Sequence, residues 1–181
     1  KVLIREAPKN QMRRLLPFLA VLLFLSPAVA SQQTGQSLFL FLQGYRSAQA
    51  GRYDEAIERY RSALSIDPTS AVIKSELALL HIKKGELDKA ETLLADSIKT
   101  RPDNRQSLML LAGLYSSKGE FDKARELYER CTALNQEDTE AYLLLGAVHV
   151  AQKKYREALD SYETILRYDD DNSMALYYAA R

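Results

Sequence analysis

One internal period governs this chain. Gly51-Arg52-Tyr53-Asp54-Glu55-Ala56 aligns with Gly85-Glu86-Leu87-Asp88-Lys89-Ala90, and that in turn with Gly119-Glu120-Phe121-Asp122-Lys123-Ala124. Lys153-Lys154-Tyr155-Arg156-Glu157-Ala158 follows, and the shift is 34 each time. Four units result, 37–70, 71–104, 105–138 and 139–172, without an insertion. A chain with such a period builds a stacked array of one small element, because a single unit cannot bury its own apolar face.

Each unit predicts two helices. The eighth place is always small (Gly44, Ala78, Ala112, Gly146) and the twentieth is always Ala (Ala56, Ala90, Ala124, Ala158). Four places after the invariant Ala stand Tyr60, Leu94, Tyr128 and Tyr162, and three beyond those Ala63, Ser97, Cys131 and Ile165. The i, i+4, i+7 spacing puts these on one helix face. Small residues let the two helices of a unit approach, and the bulky ones fill the space between. Gly51, Gly85 and Gly119 mark the turn within a unit, and Asp67-Pro68 and Arg101-Pro102 end units by blocking helix continuation. With 46% hydrophobic and 27% charged residues, and only seven Gly and five Pro, the composition is that of a folded helical protein.

The pattern resembles the tetratricopeptide repeat, W-x2-L-G-x2-Y, then A-x3-F, then P. The fourth unit shows it as Tyr142-x2-Leu145-Gly146-x2-His149, then Ala158-x3-Tyr162. Lys74 departs from it at the first aromatic, Gln43 and Ser47 at the Leu and Tyr of the first unit, Gln136 and Asp170 at the Pro place, and Lys153 at the Gly place. The resemblance implies an all-α, right-handed superhelical solenoid of antiparallel helix pairs. Residues 173–181 read as the start of a fifth, truncated repeat, with Leu176 and Ala180 in the first-aromatic and small places. Solenoids end in a polar capping helix, so the natural protein is expected to continue.

Ahead of the units, residues 12–30 read as a signal peptide. Met12-Arg13-Arg14 precede an apolar run, Leu15 to Leu25, and Ser26-Pro27-Ala28-Val29-Ala30 supplies a small-residue cleavage site. Cleavage is expected after Ala30, leaving residues 31–36 as a short linker. The alternative, an uncleaved anchor, has too short an apolar run for a hydrocarbon core of about 30 Å. Residues 1–11 read as an upstream extension of Met12, and the product as exported, periplasmic or extracellular. Lys1, Arg5, Lys9, Arg13 and Arg14 against Glu6 put +4 into the segment 1–30, so the net +1 of the chain leaves a body of −3. Such a body has no basic footprint for nucleic acid.

No catalytic constellation stands out, and neither an enzyme activity, a cofactor, a metal nor a small-molecule substrate is expected. His81 and His149 both occupy the eleventh place of a unit and are two units apart; packed side chains explain them better than a shared ion. Cys131 stands where sister units have Ala63 and Ser97, a packing place. Asp169-Asp170-Asp171 lies between helices without the other ligands of a calcium loop.

By resemblance, the first helix of each pair lines a concave groove through the second, fifth, ninth and twelfth places. The groove residues expected to bind a peptide or partner protein are Leu38, Phe41, Tyr45, Leu79, Ile82, Met109, Leu143 and Val150. Packing of the groove against residues 31–36 or C-terminal sequence of the same chain is the alternative. The carboxylate clamp of chaperone-binding members is replaced here by Phe41, Tyr45, Glu76, Gln106 and Leu110, none of which grips a carboxylate. The expected function is a non-catalytic scaffold or adaptor in a cell-envelope assembly. The second reading is a targeting arm of a larger enzyme with its catalytic domain beyond residue 181. Self-association of the truncated chain is also expected.

Overall fold

The computed structural model describes the chain from Pro27 to Arg181. Among the described residues there are nine helices: α1 (Pro27–Gln49), α2 (Tyr53–Ile66), α3 (Ala71–Lys83), α4 (Leu87–Thr100), α5 (Arg105–Ser117), α6 (Phe121–Leu134), α7 (Thr139–Ala151), α8 (Tyr155–Tyr168) and α9 (Ser173–Ala179). They form an all-α helical solenoid. The pairs α1–α2, α3–α4, α5–α6 and α7–α8 are repeats 1 to 4. Each pair packs internally and onto the next, and α9 packs on α8. The upstream extension, 1–11, and the expected signal peptide up to position 26 lie outside the described residues. Residues 31–36 belong to α1 and are not a linker. No Pro follows Pro27 in that stretch, and the helix is held further along by Ser37, whose buried hydroxyl donates to the Ala63 carbonyl at 3.1 Å.

The helix starts repeat as strictly as the core. Ser70, Asn104, Asp138 and Asn172 recur with the period of the units, and each side chain accepts the backbone N–H three places on: Ile73, Ser107, Ala141 and Ala175. Each satisfies an amide that the helix leaves unpaired. The turns within pairs need a left-handed residue. Gly51, Gly85 and Gly119 adopt φ of 74°, 74° and 77°, while Lys153 is held at 61° in the same place, where its Cβ is strained.

Close approach within a pair explains the small eighth place. A Cβ on Gly44 would lie 2.7 Å from the ring of Tyr60, and one on Gly146 would also run into the ring of Tyr162. Repeat 2 has Ala78 at that place and the smaller Leu94 opposite, both fully buried. Ala56, Ala90, Ala124 and Ala158 are buried at the matching place of the second helices.

A surface ladder ties successive repeats. Lys84 donates to Asp54, Lys118 to Glu91 with Asp88 at 3.9 Å, and Gln152 Nε2 to Asp122 at 2.9 Å. The residue at the end of each first helix thus reaches back to the second helix of the preceding repeat. Hydrogen bonding to these carboxylates raises the pKa of Lys84 and Lys118.

Candidate binding groove

The expected groove residues divide into two sets. Leu38, Tyr45 and Val150 are 54%, 45% and 44% exposed, large apolar groups open to a partner. Phe41 is partly buried and stacks on Tyr60 with ring centroids 5.6 Å apart. Ile82 and Met109 pack against the central core cluster, and Leu143 against the last one. Leu79 is partly buried. The second set is engaged in packing within the solenoid, and the first leaves large side chains exposed.

An apolar concavity lies along α7. Leu143, Leu144, Ala147 and Val150 of α7, Tyr155 and Tyr162 of α8, and Met174, Tyr178 and Arg181 at the chain's end line its volume of about 610 Å³. Its lining is mainly hydrocarbon and aromatic. Tyr162 and Tyr178 stack at 5.4 Å, and Tyr177 meets Tyr178 edge-on at 5.1 Å. Leu143 and Val150 are the expected residues that the fold brings together here. Leu144 and Tyr155 are not among the expected ones. Leu144 sits next to Leu143, about 100° further round α7 and off the face that the rule reads, and Tyr155 comes from a second helix, which a first-helix rule cannot find.

Midway along the solenoid the groove is polar. Gln106 Nε2 donates to Glu76 at 2.8 Å across adjacent repeats. Arg105 is held by Asp138 and by Glu140, at 2.7 Å from the latter. The Arg105 guanidinium holds the Asp138 carboxyl below its ordinary range. These side chains satisfy one another, so the chemistry left to the groove is apolar contact.

The two histidines are buried in different settings. His81 Nδ1 bonds to Glu86, while His149 Nδ1 is buried without a hydrogen-bond partner. Cys131 is fully buried, and burial pushes its thiol pKa up to about 11, so it remains an unreactive thiol at neutral pH. Among the described residues no three His, Cys, Asp or Glu side chains come together in a way that could hold a metal ion. No described helix is long and apolar enough to cross a membrane.

Comparison with known families fits this geometry. Residues 47–114 match the model described as Tetratricopeptide repeat, and residues 97–179 that of the Tetratricopeptide repeat protein 21 C-terminal ARM domain. The helix pairs thus resemble tetratricopeptide repeats in sequence model and in fold. A tetratricopeptide repeat protein from Parabacteroides merdae superposes with a TM-score of 0.75 at 21% identity over 81% of this chain. The chain spans 58% of that protein's length. The pilF protein of Pseudomonas aeruginosa gives 0.73 at 21% identity, covering 82% of this chain and 68% of its own. The first TPR of Spaghetti (RPAP3), bound to the HSP90 peptide SRMEEVD, gives 0.63 at 21% identity over 66% of this chain and 95% of its own. At these identities the likeness is one of fold. No curated protein matches the sequence. The tetratricopeptide fold is that of a protein–protein interaction scaffold, and its members generally carry no catalytic site.

Proposed function

We propose that this chain is an exported, non-catalytic adaptor of the cell envelope, holding a peptide or partner protein in its concave groove within a secretion, pilus, polysaccharide or outer-membrane assembly. The observation that carries the binding reading is the apolar concavity along α7, flanked by exposed Val150. A partner seated there buries mainly hydrocarbon, with Arg181 the one charged side chain of the lining. The polar middle of the groove, with Glu76 and Gln106 bonded together, favours apolar anchors over a free C-terminal carboxylate. Export rests on the ordered basic, apolar and small-residue regions of 12–30. The apolar side chains exposed on α9, Leu176 and Tyr177, support self-association.

Two measurements test this. Expressed in a bacterium, the mature protein should begin at Ser31 and be recovered outside the cytoplasm; a mass that retains residues 12–30 overturns export. A photo-crosslinking side chain at Tyr45 or Val150 should trap a partner in envelope extracts, and one at Glu129 on an exposed second-helix face should not. Crosslinks from Glu129 alone would overturn the groove as the binding face.

A further inference from the structure

The outer face of the first repeat breaks the pattern of the others. At the seventh and tenth places, repeats 2 to 4 bury Leu77 and Leu80, Leu111 and Leu114, Leu145 and Val148 against the preceding repeat. Repeat 1 has Gln43 and Arg46 there. With Phe39 and Leu42, 60% and 54% exposed, and with Arg52 and Arg59 from the turn and α2, they line a cleft of about 520 Å³. Arg52 is paired with Glu55 at 2.7 Å. Arg46 and Arg59 have no carboxylate within ion-pair distance among the described residues. The cleft therefore carries two uncompensated positive charges beside exposed hydrocarbon, in a body whose net charge is −3.

The turn between α8 and α9 has the complementary character. Asp169, Asp170 and Asp171 are all exposed. Asp169 accepts a hydrogen bond from Asn172 at 2.9 Å, and Asp170 and Asp171 have no cation within ion-pair distance among the described residues. Exposed Tyr168 and Met174 flank them. Six helices separate this turn from the cleft, at roughly 8–10 Å per helix contact, so one copy cannot close on itself.

We propose that the arginine cleft of α1–α2 receives the Asp169–Asp171 turn of a second copy, with Tyr168 or Met174 laid against Phe39 and Leu42. The inference rests on the self-association reading above and adds the two faces. Two different faces meet, so the contact is heterologous and propagates head to tail. Exposed ion pairs contribute little affinity; they set register and make the contact salt-sensitive, while the apolar flanks supply burial.

A charge exchange tests it, followed by sedimentation velocity on the purified protein. Arg46→Glu/Arg59→Glu and Asp170→Lys/Asp171→Lys alter exposed residues and should leave helix content unchanged. Each variant alone should lose association by about tenfold or more, because like charges then face each other. Mixing the two should restore it, more weakly as salt is raised. If both variants associate as the parent does, or if mixing restores nothing, the assignment of these faces is overturned while self-association stands. A parent protein that stays monomeric at every concentration overturns both.

Discussion

Two neighbouring joints of the solenoid solve the same packing problem with opposite chemistry. Repeats 2 and 3 meet through Ser75, Ser97 and Ser107; at the equivalent places, repeats 3 and 4 meet through Met109, Cys131 and Ala141. The three serines are fully buried and fully engaged. Ser75 and Ser107 hydroxyls lie 2.7 Å apart, Ser107 Oγ donates to Ser97 at 2.7 Å, and Ser75 and Ser97 both reach the Ala71 carbonyl, at 2.7 and 3.2 Å. Lys74 stands beside them, 5% exposed, with its ammonium 2.6 Å from Asp96 and 3.3 Å from Thr100. The next repeat has Leu108 in the place of Lys74, with Arg130 and Leu134 in those of Asp96 and Thr100. The lesson is that a polar group survives at a buried place when its partners change in the same repeat. The substitutions travel as sets.

The largest effect should come from moving one member alone. Leu108→Lys would bury an ammonium opposite Arg130 with no carboxylate to receive it, and should cost about 3–5 kcal/mol. Lys74→Leu leaves Asp96 free to hydrate, since its side chain is 57% exposed, and should change stability by no more than about 1 kcal/mol. Urea midpoints of the two variants measure the contrast; equal losses would mean the joints are not distinguished by their partners.

A smaller effect sharpens the same point within the serine set. Ser107→Ala removes a partner from both Ser75 and Ser97 and should cost about 1 kcal/mol. Ser75→Met/Ser97→Cys/Ser107→Ala copies the apolar joint and should cost less than the three single changes summed. Strict additivity in denaturation would show that the hydroxyls act separately.

The smallest effect is in pH dependence. His81 of repeat 2 faces Glu86, whereas His149 of repeat 4 has Lys154 at the equivalent place. Desolvation by burial lowers the pKa of His149; Glu157 and Glu129 oppose the shift, and Lys154 and Arg125 add to it. The unfolded chain therefore takes up this proton at a higher pH than the native one. The stability that His149 contributes is complete above its unfolded pKa of about 6.5, and declines as pH falls from there through the lowered native pKa. His149→Gln should flatten the loss of stability with acidification over that window, read from thermal midpoints. An unchanged slope would assign the proton uptake elsewhere.

Much of the fold is legible in the residues. Small eighth places and the invariant Ala repeat in every unit because each meets the same close approach, and the left-handed turn recurs in all four with Gly in three and Lys153 in the last. The caps Ser70, Asn104, Asp138 and Asn172 carry the same period, a signal overshadowed by the Pro place two positions before them. The groove is legible only in part. A first-helix rule locates Leu143 and Val150 and, carried into the fifth unit, Met174, but Tyr155 joins them from a second helix, and which of Leu38, Phe41 and Tyr45 stays open depends on the ring of Tyr60 stacking on one of them.

The sequence by itself determined the repeat unit, its helices and the places where helices touch, because those follow from local periodicity and from residue size. Tertiary structure decided what was buried at each joint and what remained free. Lys74 reads as a defect until Asp96 and Thr100, one helix away, are seen to receive it. Gln43 likewise reads as a weak match until it is seen beside exposed Phe39, Leu42 and Arg46 on α1. Burial and pairing are properties of neighbours distant in the chain, and only the packed solenoid brings those neighbours together.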